Sequence, residues 1–245
     1  MRKIIIALML LSVINFSCSK KDSAPKLEIT SSKTELKYNE TIQLAVNVGN
    51  SNDYEWKSSD EFVGKINAYG KFEAAHIGET EITATKNGTT AKLKLLVTPT
   101  ETLFIEPYVE IGASKAIIKS KEKRTLAVEV SNAIGYAEPA SAIRGNISYL
   151  FGNNGGLTGC LVGFTETTLN AERVGRFYAE RYKFEGSSDG VFFLSDKNKK
   201  YSLGIEAENK DYGFIVMYFK YTETVSAKVA LFDKIKAKNN YKANF

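Results

Sequence analysis

A chain of 245 residues is long enough for two domains of ordinary size, and 43% apolar with 11% aromatic residues excludes a disordered polymer. Its formal charge of +5 is too small to argue for nucleic acid as a partner. Only two cysteines, Cys18 and Cys160, exclude a disulfide framework, while abundant Thr, Val, Tyr and Phe lean the chain towards strands.

The chain opens on a basic pair, Arg2 and Lys3, followed by an apolar run from Ile4 to Leu11 that continues to Ser17 and Cys18. The run is shorter than the about 20 residues a membrane-spanning helix needs, and its order of charged, apolar and small residues is that of a secretory signal over 1–17. Cys18, followed by the polar Ser19-Lys20-Lys21-Asp22-Ser23, resembles the lipobox of a Bacteroidetes-type lipoprotein. The resemblance implies acylation of Cys18, a lipidated tether over 18–26 and display at the outer membrane, facing the periplasm or the cell surface. Lys20-Lys21-Asp22 partly resembles a surface-export signal of such lipoproteins, and Asp22-Ser23-Ala24 an O-glycosylation acceptor.

From Leu27 to Val97 strong alternation predicts half-buried strands of a sandwich. Ile42, Leu44, Val46 and Val48 share one face, Tyr54 and Trp56 share the parity of a core face, and Asn87-Gly88 is a strong hairpin signal. The runs Leu36 to Leu44, Trp56 to Asp60, then Val63, Ile66, Gly70, Phe72 and Ala74, then Gly78 to Ala84 resemble the bacterial Ig-like domain of group 2. Asn39 stands where that family usually has glycine and suits a left-handed turn. The resemblance implies an Ig-like sandwich over 27–98 that serves as a spacer or adhesion module and carries no chemistry. Residues 99–102, with Pro99, are expected to be a linker.

Beyond the linker the pattern becomes mixed, and an α+β domain, an antiparallel sheet with two helices, is expected over 103–221. Helices are predicted from Lys115 to about Arg124, with Ser114 as N-cap and Ile117 and Ile118 facing the sheet, and from Asn170 to Tyr182. Strands are predicted at 126–130, 134–136, 146–151, 157–164, 190–194, 201–207 and 212–221. Tyr149-Leu150-Phe151 and the turn before Leu157 resemble units of the β-lactamase-inhibitor-protein type. Residues 222–245 form a tail that fits a short helix through Val225, Val229 and Phe232 or a strand through Val225, Ala227 and Val229.

Candidate chemistry is sparse. His76, the only histidine, is expected to be a solvated loop residue, with Glu73 and Glu79 as its nearest carboxylates. Cys160 alternates with Thr158, Val162 and Phe164 and is expected to be a buried structural thiol. Glu172, Glu180, Glu185, Glu206 and Glu208 offer carboxylate pairs only in principle, and Asp196 to Lys200 lacks the glycine and glutamate of a calcium loop. No catalytic, metal or cofactor site is therefore assigned and no enzyme is expected. The expected role is a non-enzymatic binding or adhesion module held to the membrane by lipid, taking an envelope protein or a surface glycan and no nucleic acid. Alternatives are a structural or inhibitory component docking on a protein of the same cell, and a glycan-binding accessory. Either alternate set of the 212–221 strand, Phe214, Val216 and Tyr218 or Ile215, Met217, Phe219 and Tyr221, is an interaction face unless the sandwich or the tail covers it.

Overall fold

The computed structural model describes residues 25–209 and 213–238. The signal segment, Cys18, the tether up to Ala24 and Tyr212 lie outside the described residues. Nine strands build the first unit: β1 (Ile29–Thr30), β2 (Glu35–Lys37), β3 (Thr41–Gln43), β4 (Ala45–Val46), β5 (Glu55–Ser58), β6 (Gly64–Ile66), β7 (Lys71–Ala74), β8 (Gly78–Lys86) and β9 (Thr89–Thr98). One sheet runs β2-β9-β8-β5 and a second runs β3-β7-β6, with β1 paired to β4 beside them. Their inner faces meet on Leu36, Leu44, Trp56, Phe72, Ile82 and Leu95, all buried as the alternation predicts. The β8–β9 hairpin closes on Asn87 and Gly88, both at positive φ, which matches the right-handed twist of the two strands. Asn39 takes the left-handed conformation, φ 62°.

The second unit is a single antiparallel sheet of eight strands. It is built from β10 (Leu126–Val130), β11 (Ala133–Ala137), β12 (Asn146–Phe151), β13 (Leu157–Phe164), β14 (Lys183–Ser188), β15 (Val191–Ser195), β16 (Tyr201–Asn209) and β17 (Gly213–Lys220), in the spatial order β10-β11-β12-β13-β17-β16-β15-β14. Three helices accompany it: α1 (Lys115–Lys121), α2 (Thr168–Ala179) and α3 (Val225–Lys238). The two terminal strands each contain a break in register, between Leu126 and Val128 in β10 and between Phe184 and Gly186 in β14.

The expected α+β domain with two helices is thereby corrected: an eight-stranded sheet dominates, three helices are present among the described residues, and the chain is mostly β. Two physical causes account for the difference. The break at Phe184/Gly186 removes the period of two from β14, so the sequence pattern hides that strand. The tail, ambiguous by periodicity, is helical because Phe232 and Ile235 are needed over Phe193, Ile215, Met217 and Phe219. Strand β17 is therefore covered on both faces: α3 lies on the Ile215 side, while α1 and α2 place Ile118, Val174, Phe177 and Tyr178 on the Val216 side. Ile117 departs from expectation and is exposed, whereas Ile118 is fully buried.

Gly204 fixes the distance of α3 from the sheet. A Cβ at that position would stand 2.6 Å from the Phe232 ring, so only a glycine lets the ring lie on the strand.

Candidate functional site

The two units meet along residues 60–77 of the sandwich and the segment that joins α2 to β14. The Ile77 amide donates to the Glu180 carbonyl at 2.8 Å, and Asp60 pairs with Lys197 from the β15–β16 turn. The Glu180 side chain, fully buried, accepts the Thr100 amide on both oxygens at 3.0 Å and the Glu101 amide at 3.3 Å. The Arg181 guanidinium lies 3.4 Å from the same carboxylate, covers the Phe177 ring at 3.7 Å and donates to the Glu101 carbonyl. Glu101 in turn takes Arg173 at 3.0 Å and Arg176 at 3.1 Å. Residues 100–101 are thus held by the Glu180 carboxylate and three arginines, where the sequence suggested a plain linker.

His76 is at this seam and partly buried, which departs from the expectation of a simple solvated loop residue. Its ring stacks on Phe62 with centroids 3.9 Å apart and planes 10° from parallel. Nδ1 is 2.6 Å from the Phe62 carbonyl oxygen, and Nε2 is 3.2 Å from that of Tyr182, across the seam. No group of three or more His, Cys, Asp or Glu side chains is placed to hold a metal ion among the described residues.

Beside the seam opens a groove of about 990 Å³. One wall is the outer face of the three-stranded sheet, where Thr41, Glu73 and Lys65 stand directly across from one another and His76 closes the end. The opposite wall is α2, which Thr167 caps by accepting the Asn170 amide. Val174, Phe177 and Tyr178 bury one face of that helix, which leaves Ala171, Gly175 and Ala179, four apart, towards the groove. The floor is the end of the large sheet, with Ile205, Leu194, Phe184 and Phe192. Phe184 is 59% exposed and Phe192 51%, so this end of the sheet presents aromatic surface that nothing in the described chain covers.

Behind the floor lies a polar network. Glu106 accepts the Tyr182 hydroxyl and the Tyr218 hydroxyl, the latter at 3.0 Å, and lies 3.4 Å from Arg181. Burial raises the Glu106 carboxyl above the usual carboxylate range, against the two phenols and Arg181, which lower it. A second carboxylate, Glu122, accepts Tyr149 at 2.6 Å and Arg124 at 2.8 Å; burial opposes the charge, yet these partners hold its pKa below the usual value. Cys160 is fully buried between strands β12 and β17, and burial pushes its thiol well above the ordinary value, as suits a structural thiol.

Of the five glutamates considered as acid–base pairs, three are engaged at separate places. Glu180 is occupied by backbone amides, Glu185 by Ser195 and Lys183, and Glu206 by Lys236 of α3 on the other face of the sheet. Sequence reasoning named Glu180 only among these and missed its part in the seam. The signal that could have found it is its place directly after the apolar face of α2, before the Arg181-Tyr182 pair. Phe184 was missed because β14 was, and Phe192, within the predicted 190–194 strand, because its partner strand β14 was not seen.

Residues 23–97 match the bacterial Ig-like domain (group 2) family, a stretch that includes the sandwich and none of the eight-stranded sheet. No curated protein matches the chain. Among solved structures, intimin in an intimin–Tir90 complex is 18% identical over 37% of this chain and 54% of that one, with a TM-score of 0.26. An intimin mutant of EHEC O157:H7 is 10% identical over 79% of this chain and 98% of that one, TM-score 0.27. The S-layer protein rSbsC(31-844) is 11% identical over 81% of this chain, TM-score 0.27, and this chain spans only 25% of its length. No helix among the described residues is long and apolar enough to cross a membrane.

Proposed function

We propose that this chain is an envelope lipoprotein, anchored through an acylated Cys18, that acts as a non-enzymatic binding module and takes an apolar segment of a partner protein in the groove between sandwich and sheet. The groove carries the reading. It combines an apolar floor, two exposed phenylalanines and a polar wall holding Lys65 and Glu73, the mixture of anchor pocket and polar rim by which proteins recognise one another. The family match of residues 23–97 supports the same role, since bacterial Ig-like domains resemble spacers and adhesion modules. The order Arg2-Lys3, apolar run, Ser17-Cys18 supports the anchor.

The test is site-specific photocrosslinking in cells, with the crosslinker replacing Phe184 in one full chain and Tyr69, exposed on the sandwich away from the groove, in another. One defined adduct from position 184, abolished by Gly175→Leu, is the expected result. The same adducts from both positions, or adducts indifferent to Gly175→Leu, would refute the groove reading. A partner in the same envelope would identify a structural or inhibitory component, and one on another cell an adhesin.

A further inference from the structure

A second pocket, of about 460 Å³, opens where α3 passes the β12–β13 hairpin. It shares no lining residue with the groove. Phe151, Leu157 and Ile235, all buried, supply its apolar surface, with Ile111 and Leu231 half-buried beside them. Ile111 is held there by its own backbone neighbours: the Gly112 amide donates to the Leu157 carbonyl, and the Leu157 amide to the Ala113 carbonyl, each at 2.8 Å. On α3, Lys234 and Ile235 stand three and four residues after Leu231, so the lysine shares a helix face with the two apolar side chains.

The charge on this pocket has one sign. Lys220, the last residue of β17, and Lys234 line it, and no acidic side chain does. Neither ammonium group has a carboxylate partner among the described residues. On the same helix Lys228 donates to the Thr222 and Glu223 carbonyls and Lys236 pairs with Glu206. The side-chain amides of Asn132 and Asn153, both exposed, add N–H donors at the rim. A lysine lays its apolar stem along such a wall and keeps its charged head at the mouth. An anion satisfies the two ammonium groups and hydrocarbon satisfies the rest, so a fitting ligand carries both in one molecule.

The geometry points to a second binding site here, for a single-chain anionic amphiphile: a hydrocarbon chain against Phe151, Leu157, Leu231 and Ile235, and a carboxylate or phosphate on Lys220 and Lys234. The volume lies within the about 300–1,000 Å³ of small-ligand sites, and a concave pocket suits a free molecule rather than a flat membrane surface. The site stands independently of the groove and of what the groove binds.

Calorimetric titration of the full chain with decanoate below its micelle concentration tests this, in a Cys18→Ala background so that the chain carries no acyl group of its own. Decanoate is expected to fill one saturable site, with NMR contacts from its methylene protons to the methyl groups of Leu157 and Leu231. Acetate and neutral decanol are expected to bind about tenfold more weakly or worse, as is decanoate to the double variant Lys220→Gln, Lys234→Gln. Both lysines are exposed, so their replacement leaves the fold intact. Lys200→Gln, at an exposed lysine outside the pocket, should bind as the wild type does. Absence of saturation, equal affinity for decanol, or an unchanged double variant would overturn the inference. So would contacts that map to Phe184 and Phe192, which would give the ligand to the groove. Association with phosphatidylglycerol vesicles without binding of free decanoate would also overturn it, and would make the two lysines a membrane contact. None of these results bears on the photocrosslinking at position 184, so the two readings fail separately.

Discussion

The Glu180 carboxylate grips the Thr100 amide with both oxygens at 3.0 Å, from a position with no solvent exposure at all. A buried charge in such a place is tolerable only while its donors remain, and here they are two backbone amides and Arg181. Glu180→Ala removes the acceptor and leaves the amides of Thr100 and Glu101 without it. The expected cost is about 2–3 kcal/mol, the range for losing buried charge-assisted hydrogen bonds. Urea unfolding would measure it, and limited proteolysis should show new cleavage within residues 99–102.

Glu106 and Glu122 should give stability profiles of opposite slope. The folded-state pKa of Glu106 lies above its ordinary value of 4.5, so the native state holds the proton more tightly than the unfolded chain, and stability falls as pH rises through that window. Glu122 lies below 4.5, so its contribution is present above the unfolded value and is lost as the pH falls through the folded one. Melting temperatures of Glu106→Gln and Glu122→Gln across about pH 3 to 8 check this: relative to wild type, the first variant should gain with rising pH and the second should lose. Parallel profiles would refute the assignment.

Gly175 sits within α2 with nothing within 4 Å of where a Cβ would be. Gly175→Ala should therefore stabilise the chain by about 0.5–1 kcal/mol through helix propensity alone. Thermal unfolding would report it. A loss of stability would mean that the groove wall is occupied in the native chain.

Phe232 is 1% exposed and anchors α3 on Gly204, Phe193 and Phe219. Phe232→Ala should cost about 3–5 kcal/mol, and Gly204→Val should act on the same contact by lifting the ring. If the two share one contact, the double variant will lose less than the sum of the singles in denaturant unfolding.

The sandwich was legible in the sequence because each of its strands buries one face, so alternation, the Asn87-Gly88 turn and the Tyr54–Trp56 pair all point to one arrangement. Much of the larger sheet was legible too, including β12 and β13 to the residue. What was hidden has a common cause. Strand β17 is apolar on both faces and does not say what covers it, β14 loses its period at a bulge, and α3 carries a pattern that serves helix and strand alike. The groove depends on β14 and on the pairing of two units distant in sequence, as does the place of His76. A single histidine in a polar loop gives no sign that its second acceptor lies 106 residues further on.

The breaks in register at the two ends of the large sheet bear on what such a chain does in company. Strand β10 exposes Leu126, Val128 and Val130, and β14 exposes Phe184, sequences that would invite another strand if the edges ran straight. A kinked margin cannot offer a regular row of donors and acceptors, so stacking copies into a growing ribbon is disfavoured at both ends.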